Sequence, residues 1–251
     1  MNILVCIKRV PMTGAKIILT DDAQAVETRH LGFTFSPHEE CAVEEAVRLL
    51  EKHGGTGTVL TLGSKESDEQ LRYALSMGMQ EAILLETDSE WGPMATANAI
   101  IEAIKASGKT FDVLMFGNEA ADTGGYQVGI RVAQALDLPC VTGIKGLELN
   151  GNSAIAKKEI SGGHEVYEVA LPAVFTVKEG LNYPRYPSVP GRMRAKKVAI
   201  NTTKPAAMQE GLSKLQLRVP VEEASQVEIL GQGASAAPKV VELFKNLGFL
   251  A

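Results

Sequence analysis

Short apolar runs alternate with stretches of helical period along the first 144 residues, and that alternation leaves few folds open. Residues 2–10 (NILVCIKRV), 58–62 (TVLTL), 81–86 (EAILLE) and 111–116 (FDVLMF) are rich in aliphatic and β-branched side chains. Runs of this kind mark strands buried on both faces. Between them, apolar residues recur three and four apart: Ala42, Val43, Ala46, Val47 and Leu50, then Leu71, Ala74 and Leu75, then residues 94–106, then Val132, Ala133 and Leu136. Ser36 can cap the first of these helices, with Pro37 at its first position and Gly54 past its end. Strand and helix repeated at this interval are βα units. They predict a mostly parallel sheet with helices on both faces, and right-handed crossovers make it an open doubly wound α/β sheet.

The period then changes. Residues 16–19 and 25–28 suggest a small early hairpin, whereas residues 146–177 contain no helical stretch at all. These later residues read as an antiparallel meander turning at Asn150-Gly151 and again at Gly162-Gly163. Residues 1–198 are expected to form the α/β domain. Residues 199–251 are too sparse for a second core and read as an extended C-terminal arm that packs on another subunit. Within the arm, Val240, Val241, Phe244 and Leu247 would share one face of a short helix, which needs a partner surface to be stable in water.

Residues 183–197 stand apart. Pro184, Pro187 and Pro190 stiffen the segment and spoil it for sheet pairing, and five cations follow without an acid: Arg185, Arg192, Arg194, Lys196 and Lys197. The segment is either a docking surface or a linker with a solvated basic tail. Removing those five charges from the chain's net −5 leaves −10 elsewhere, so the positive charge is local. Nucleic-acid binding, which favours a broad basic surface, is not expected.

At 251 residues and 45% hydrophobic, the chain can bury one full core. No run reaches the roughly 18 apolar residues of a membrane span, so no membrane insertion is expected. The N-terminus has no signal-peptide order, and three separated cysteines suit a reducing compartment. The expectation is cytoplasm or an equivalent organelle matrix. The spacing of cysteines and histidines offers no metal site, and no catalytic set is visible.

The strongest local chemistry is DTGGYQVG, residues 122–129, after the fourth strand. In an open parallel sheet, ligands bind beyond the carboxyl ends of the strands where strand order reverses. Glycines there let backbone amides approach an anion, and the next helix points its positive end at it. The alternative is a plain turn. No Walker lysine and no G-x-G-x-x-G spacing is present, which argues against a P-loop or a Rossmann dinucleotide fingerprint. The loop after the first strand and the Ser36-Pro37 turn should lie at the same edge.

Several motifs in order resemble one family. They are V-x-I-K-R-V at 5–10, P-x-x-x-x-A-V-E-E-A-V-R-L at 37–49, A-L-S-M-G at 74–78, D-x-x-x-x-Q-V-G at 122–129, and the run 156–197 ending in N-x-P-R-Y-x-x-x-P-x-x-M-x-A-K-K. The family is the β subunit of electron-transfer flavoprotein, with a Rossmann-like, adenine-nucleotide-binding fold. The resemblance implies an obligate heterodimer with an α subunit that holds most of the redox FAD, and a structural AMP in β. It implies an electron carrier, not an enzyme, between acyl-CoA dehydrogenases and electron-transfer-flavoprotein–quinone oxidoreductase. By position, Cys6, Ser36, Pro37, Gly63, Asp122, Gln127, Val128 and Gly129 would line the nucleotide site, and Thr13 and His38 would lie near the flavin. Tyr186, Val189, Arg192, Arg194, Lys196 and Lys197 would dock the dehydrogenase, with Val189 as the apolar anchor. Tyr126, Ser36, Thr13 and His38 depart from the usual residues of the family. Two alternatives stay open: an electron-bifurcating β subunit with a second FAD and NADH oxidation, and a stand-alone nucleotide-binding protein of the universal-stress type.

Overall fold

Residues 2–6 divide their side chains between two separate cores, Ile3 and Val5 in one and Leu4 and Cys6 in the other. A strand that buries both faces must lie inside a sheet with a layer on each side. The computed structural model, which describes residues 1–12, 17–208, 211–220 and 227–250, has that arrangement.

In chain order the first elements are β1 (Asn2–Cys6), β2 (Val10–Pro11), β3 (Phe33–Thr34) and α1 (Pro37–His53). Next come β4 (Thr56–Gly63), α2 (Asp68–Met77), β5 (Glu81–Glu86), α3 (Pro93–Ser107), β6 (Val113–Gly117) and α4 (Val128–Ala135). β7 (Cys140–Asn150), β8 (Ser153–Ile160), β9 (Gly163–Ala170) and β10 (Ala173–Val177) follow. The chain ends with α5 (Val189–Ala195), β11 (Ile200–Thr203) and α6 (Ala237–Asn246).

The main sheet runs β11-β5-β4-β1-β6-β10-β7-β8-β9, parallel from β11 to β7 and antiparallel from β7 to β9. α1 and α2 cover the face that receives Ile3 and Val5, through Val43, Ala46, Leu71 and Leu75. α3 and α4 cover the other face, through Ile100, Ile101, Val132 and Ala133. From β1 the chain moves outward to β4 and β5, then crosses back to β6 on the other side of β1. Strand order therefore reverses between β1 and β6, and a crevice opens beyond their carboxyl ends.

The doubly wound sheet and the meander turns agree with the sequence reading, and four details differ. The first strand does not run to residue 10. It ends at Cys6, because the Lys8 amide turns away to donate to Glu39 Oε1 at 2.9 Å, and Val10 then pairs with Thr34 in a separate two-stranded ladder. Residues 173–177 belong to no antiparallel meander. All five are buried, and β10 inserts in parallel between β6 and β7, the only kind of position where an unbroken apolar run is covered on both faces. The proline-braced segment is part helix: Ser188 caps α5 by accepting from the Gly191 amide at 3.1 Å, and Pro190 sits in the first turn, where its missing donor costs nothing. Residues 200–203, read as the start of the arm, extend the sheet as edge strand β11 beside β5.

The early hairpin is present as the antiparallel pair Leu19 and Val26, while residue 16 lies outside the described residues. At the far end α6 buries none of its residues, and Val241, Phe244 and Leu247 are exposed.

Because β10 is central, its largest side chain should be a keystone. Phe175 is fully buried. Phe175→Ala should cost about 3–5 kcal/mol, read as a lower denaturant midpoint with an unchanged slope; a loss under about 1 kcal/mol would place β10 at the periphery.

Candidate nucleotide site and docking segment

Cys6, Gly63 and Gly117 are the last residues of β1, β4 and β6, and all three line one cavity of about 860 Å³ at the carboxyl edge of the sheet. The size is that of a small-molecule site. Its wall near the switch point is the turn from Asn118 to Gln127, and behind it α4 begins. Gly124 and Tyr126 both take left-handed backbone, with φ of 57° and 53°. Gln127, the N-cap of α4, makes no side-chain cap and instead accepts from Arg131, so the first-turn amides of α4 are free of that partner. Gly129 is required by packing as well: a Cβ there would lie 2.9 Å from Thr176 Cγ2 and 3.2 Å from the Phe116 ring. This close approach sets α4 against β6 and β10, with its amino end at the cavity.

The opposite wall depends on α1. The Ser36 hydroxyl accepts from the Glu39 amide at 3.2 Å, and Glu39 Oε2 accepts from the Ser36 amide at 2.8 Å, completing a capping box. Glu39 Oε1 takes the Lys8 amide, so one carboxylate holds the end of β1 and the start of α1. Burial pushes the Glu39 carboxyl up to about 8, against the pull of the Ser36 and Lys8 hydrogen bonds. Burial likewise raises the Cys6 thiol, and the Glu39 charge adds to the effect, so Cys6 is an unreactive wall. Lys8 Nζ reaches across to Asp122 at 2.7 Å and joins the two walls.

Of the residues expected here, Cys6, Gly63, Asp122, Gln127, Val128 and Gly129 line the cavity. Ser36 is buried behind its wall as the α1 cap, and Pro37 is the first residue of that helix; Glu39 takes their place at the cavity surface. His38 lies beside the cavity. The Glu179 amide donates to its Nδ1 at 2.7 Å, which puts the ring proton on Nε2, 3.3 Å from Glu119 Oε1. Glu119 also takes the Tyr126 hydroxyl, whose pKa that hydrogen bond raises. Thr13 lies outside the described residues. Sequence reasoning missed Lys8, Glu39, Trp91 and Lys214, which also line the cavity. Lys8 could have been found only by ending the first strand at Cys6 instead of residue 10. Lys214 could not: it arrives from the arm, tied to Glu90 at 2.9 Å.

The apolar part of the cavity includes Leu60, Leu62, Ile100 and Phe116, and its cations are Lys8, Arg9, Arg131 and Lys214. Backbone amides at glycine bends, an uncapped helix start, cations and an apolar floor suit a phosphorylated aromatic ligand such as a nucleotide. The described residues hold no group of three or more metal-binding side chains, and none of their helices is long and apolar enough to cross a membrane.

The segment 183–197 lies against α1 through Arg185 and against α2 through α5, where Arg72 donates to the Ala195 carbonyl at 2.7 Å. Tyr183, Tyr186 and Val189 are 92%, 81% and 75% exposed, and Arg192 lies over the Tyr186 ring at 5.2 Å. Lys196 and Lys197 are exposed. Arg194 spends part of its guanidinium on the Leu75 carbonyl at 2.9 Å. Arg185 is not a free cation: Glu44 and Glu51 hold it.

A family model described as the electron transfer flavoprotein domain matches residues 25–208, which include both the 122–129 turn and the basic segment. The chain is 38% identical over 200 residues to the electron transfer flavoprotein subunit beta of Bacillus subtilis, covering 78% of this chain and 76% of that protein. It is 36% identical over 247 residues to the protein of that name from Syntrophomonas wolfei, covering 98% and 96% of the two chains. The Dictyostelium discoideum protein of that name is 31% identical over 209 residues, covering 83% of each. Similarity that runs almost end to end takes in the cavity walls, the basic segment and the arm together, and the chain belongs to the electron transfer flavoprotein β-subunit family.

Proposed function

We propose that this chain pairs with an α subunit to form an electron carrier that takes electrons from acyl-CoA dehydrogenases and related flavoenzymes and delivers them to a membrane quinone reductase. The compartment is the cytoplasm or an organelle matrix. The redox FAD, which supplies the electron chemistry when bound, is held mainly by α. This chain contributes a structural AMP site, a cover over one side of the flavin near His38, and the docking segment. The observation that carries the reading is the cavity at the β1/β6 switch point, with the amino end of α4 at its wall.

In that cavity, amides of the 124–129 turn would hold the phosphate, Lys8 and Arg131 would offset its charge, and Phe116 and Leu60 would face the base. The arm, with the exposed apolar face of α6, would pack on α. A second FAD in place of AMP is the alternative, and the extent of the cavity toward Trp91 and Leu212 favours it. The nucleotides extracted from purified heterodimer decide: one FAD and one AMP supports the single-flavin carrier, whereas two FAD and no AMP supports the bifurcating form.

Glu39 gives the AMP site a pH signature. Its carboxyl titrates at about 8, so it is mostly protonated at pH 7 and ionised at pH 9. An anion beside it favours the protonated form, so binding takes up a proton at high pH. AMP affinity should therefore fall between pH 7 and 9, by up to about tenfold per unit above pH 8. Calorimetry in two buffers of different ionisation heat would detect the proton; a flat profile would remove Glu39 from the ligand's surroundings.

For docking, Val189 would insert into an apolar pocket on the dehydrogenase while Arg192, Lys196 and Lys197 steer the approach. Val189→Ala removes about 1.5 kcal/mol of buried surface and should slow interprotein electron transfer about tenfold. FAD content and heterodimer stability should not change. Replacing Lys196 and Lys197 together by Glu should lower the association rate at low salt and have little effect at high salt. Equal loss of flavin and transfer in Val189→Ala would return the segment to a purely structural role.

A further inference from the structure

Glu44 is an acid where a helix core face would ordinarily carry an apolar residue. It is 2% exposed, in the middle of α1. Replacing a buried ion pair by apolar side chains is often neutral or stabilising, so burial alone gives no reason for a carboxylate here. Its partners do. The Arg185 amide donates to Glu44 Oε2 at 3.0 Å, Arg185 Nε donates to the same oxygen at 2.9 Å, and Arg185 Nη2 reaches Oε1 at 3.2 Å. Arg48 Nε closes the set at 2.7 Å. Burial alone would raise the Glu44 pKa; the hydrogen bonds from Arg185 and Arg48 outweigh it and hold the carboxyl below its usual range, ionised.

The rest of the α1 face turned to the segment repeats the pattern. Asn182 Nδ2 donates to the Cys41 carbonyl at 3.0 Å and to Glu45 Oε2 at 2.9 Å. Arg48 Nη2 donates to the Tyr183 carbonyl at 3.3 Å, and Glu51 takes the outer side of Arg185 at 2.5 and 2.9 Å. Residues 41, 44, 48 and 51 lie three or four apart, so they form one stripe along the helix. α1 thus carries an apolar face for the sheet and a polar stripe for residues 182–185. Pro184 and Pro187 restrict the backbone on both sides of Arg185, so an orientation set at Arg185 is carried to Tyr186 and Val189 with little freedom to relax.

We propose that Glu44 is the positioning residue of the docking segment: by gripping the backbone and guanidinium of Arg185, it fixes the pose in which Tyr186 and Val189 meet the electron-donating flavoenzyme. The role rests on the docking reading of residues 183–197. Glu44 touches neither the cavity nor the exposed anchor, and acts through Arg185 and, by way of Arg48, through the Tyr183 carbonyl.

The test uses assembled heterodimer and steady-state reduction by an acyl-CoA dehydrogenase as the varied partner. Glu44→Gln keeps the shape but loses the charge and one acceptor. The expected result is a KM for the dehydrogenase raised about tenfold with kcat within about twofold and full FAD content, the pattern of lost binding without lost chemistry. Combined with Val189→Ala, it should add less than about a twofold further rise, because a displaced anchor and an absent one are the same loss. A fall in kcat at unchanged KM, a loss of FAD, or a double variant whose effects multiply would overturn the proposal. If Glu44→Gln does not assemble, Glu51→Gln, on the exposed side of the clamp, takes its place with an expected rise of about threefold; unchanged KM would again overturn it. The two readings fail separately. Val189→Ala without effect on KM defeats docking through this segment, whereas an effect of Val189→Ala without one from Glu44→Gln leaves docking standing and removes the positioning role.

Discussion

One buried carboxylate joins the parts of the cavity. Glu39 accepts the amides of Lys8 and Ser36, so the end of β1 and the start of α1 are tied at one point beside the place where strand order reverses. The tie turns the chain out of the sheet at Cys6 and brings Lys8 to Asp122. It also explains the bare glycine at the end of β6, where a Cβ on Gly117 would lie 2.7 Å from Glu39 Cγ. A buried acid is costly unless its oxygens are satisfied. Here they are satisfied by backbone donors that would otherwise be orphans of a strand end and a helix start.

α1 works through its first turn and through two of its faces. Its first turn shapes the cavity, its apolar side fills the core, and its polar stripe holds residues 182–185. The cavity and the proline-braced segment are thus attached to one rigid element of 17 residues. A second link runs through His38, which takes the Glu179 amide just before the proline-braced segment and faces Glu119 at the cavity wall. One rigid helix beneath both the cavity wall and residues 182–185 fixes their separation.

Much of this was legible in the sequence, for local reasons. Unbroken apolar runs and the 3.6 period place the strands and helices, Ser36-Pro37 and Gly54 bound α1, and the glycines of 122–129 mark the turn at the sheet edge. The missed features are those made by distant partners. Nothing near residue 39 says that its carboxylate will meet the amide of residue 8, and nothing near Arg185 says that Glu44 and Glu51 will claim its charge. The sequence alone puts residues 173–177 in the meander, because a short apolar run looks alike in a meander and in a parallel sheet; only its neighbours differ.

The chain's own pattern determined a doubly wound sheet, a glycine turn at its edge and a stiff basic segment, because periodicity, caps and prolines act within a few residues. Tertiary structure decided which of those residues are used. It buried Ser36 and put Glu39 at the cavity surface, brought Lys214 in from the arm, and tied Arg185 of the basic segment to Glu44 while leaving Val189 exposed. Those outcomes depend on which groups are brought within about 3 Å of each other, the range at which a hydrogen bond or ion pair acts. That distance is set by packing between elements far apart in the chain.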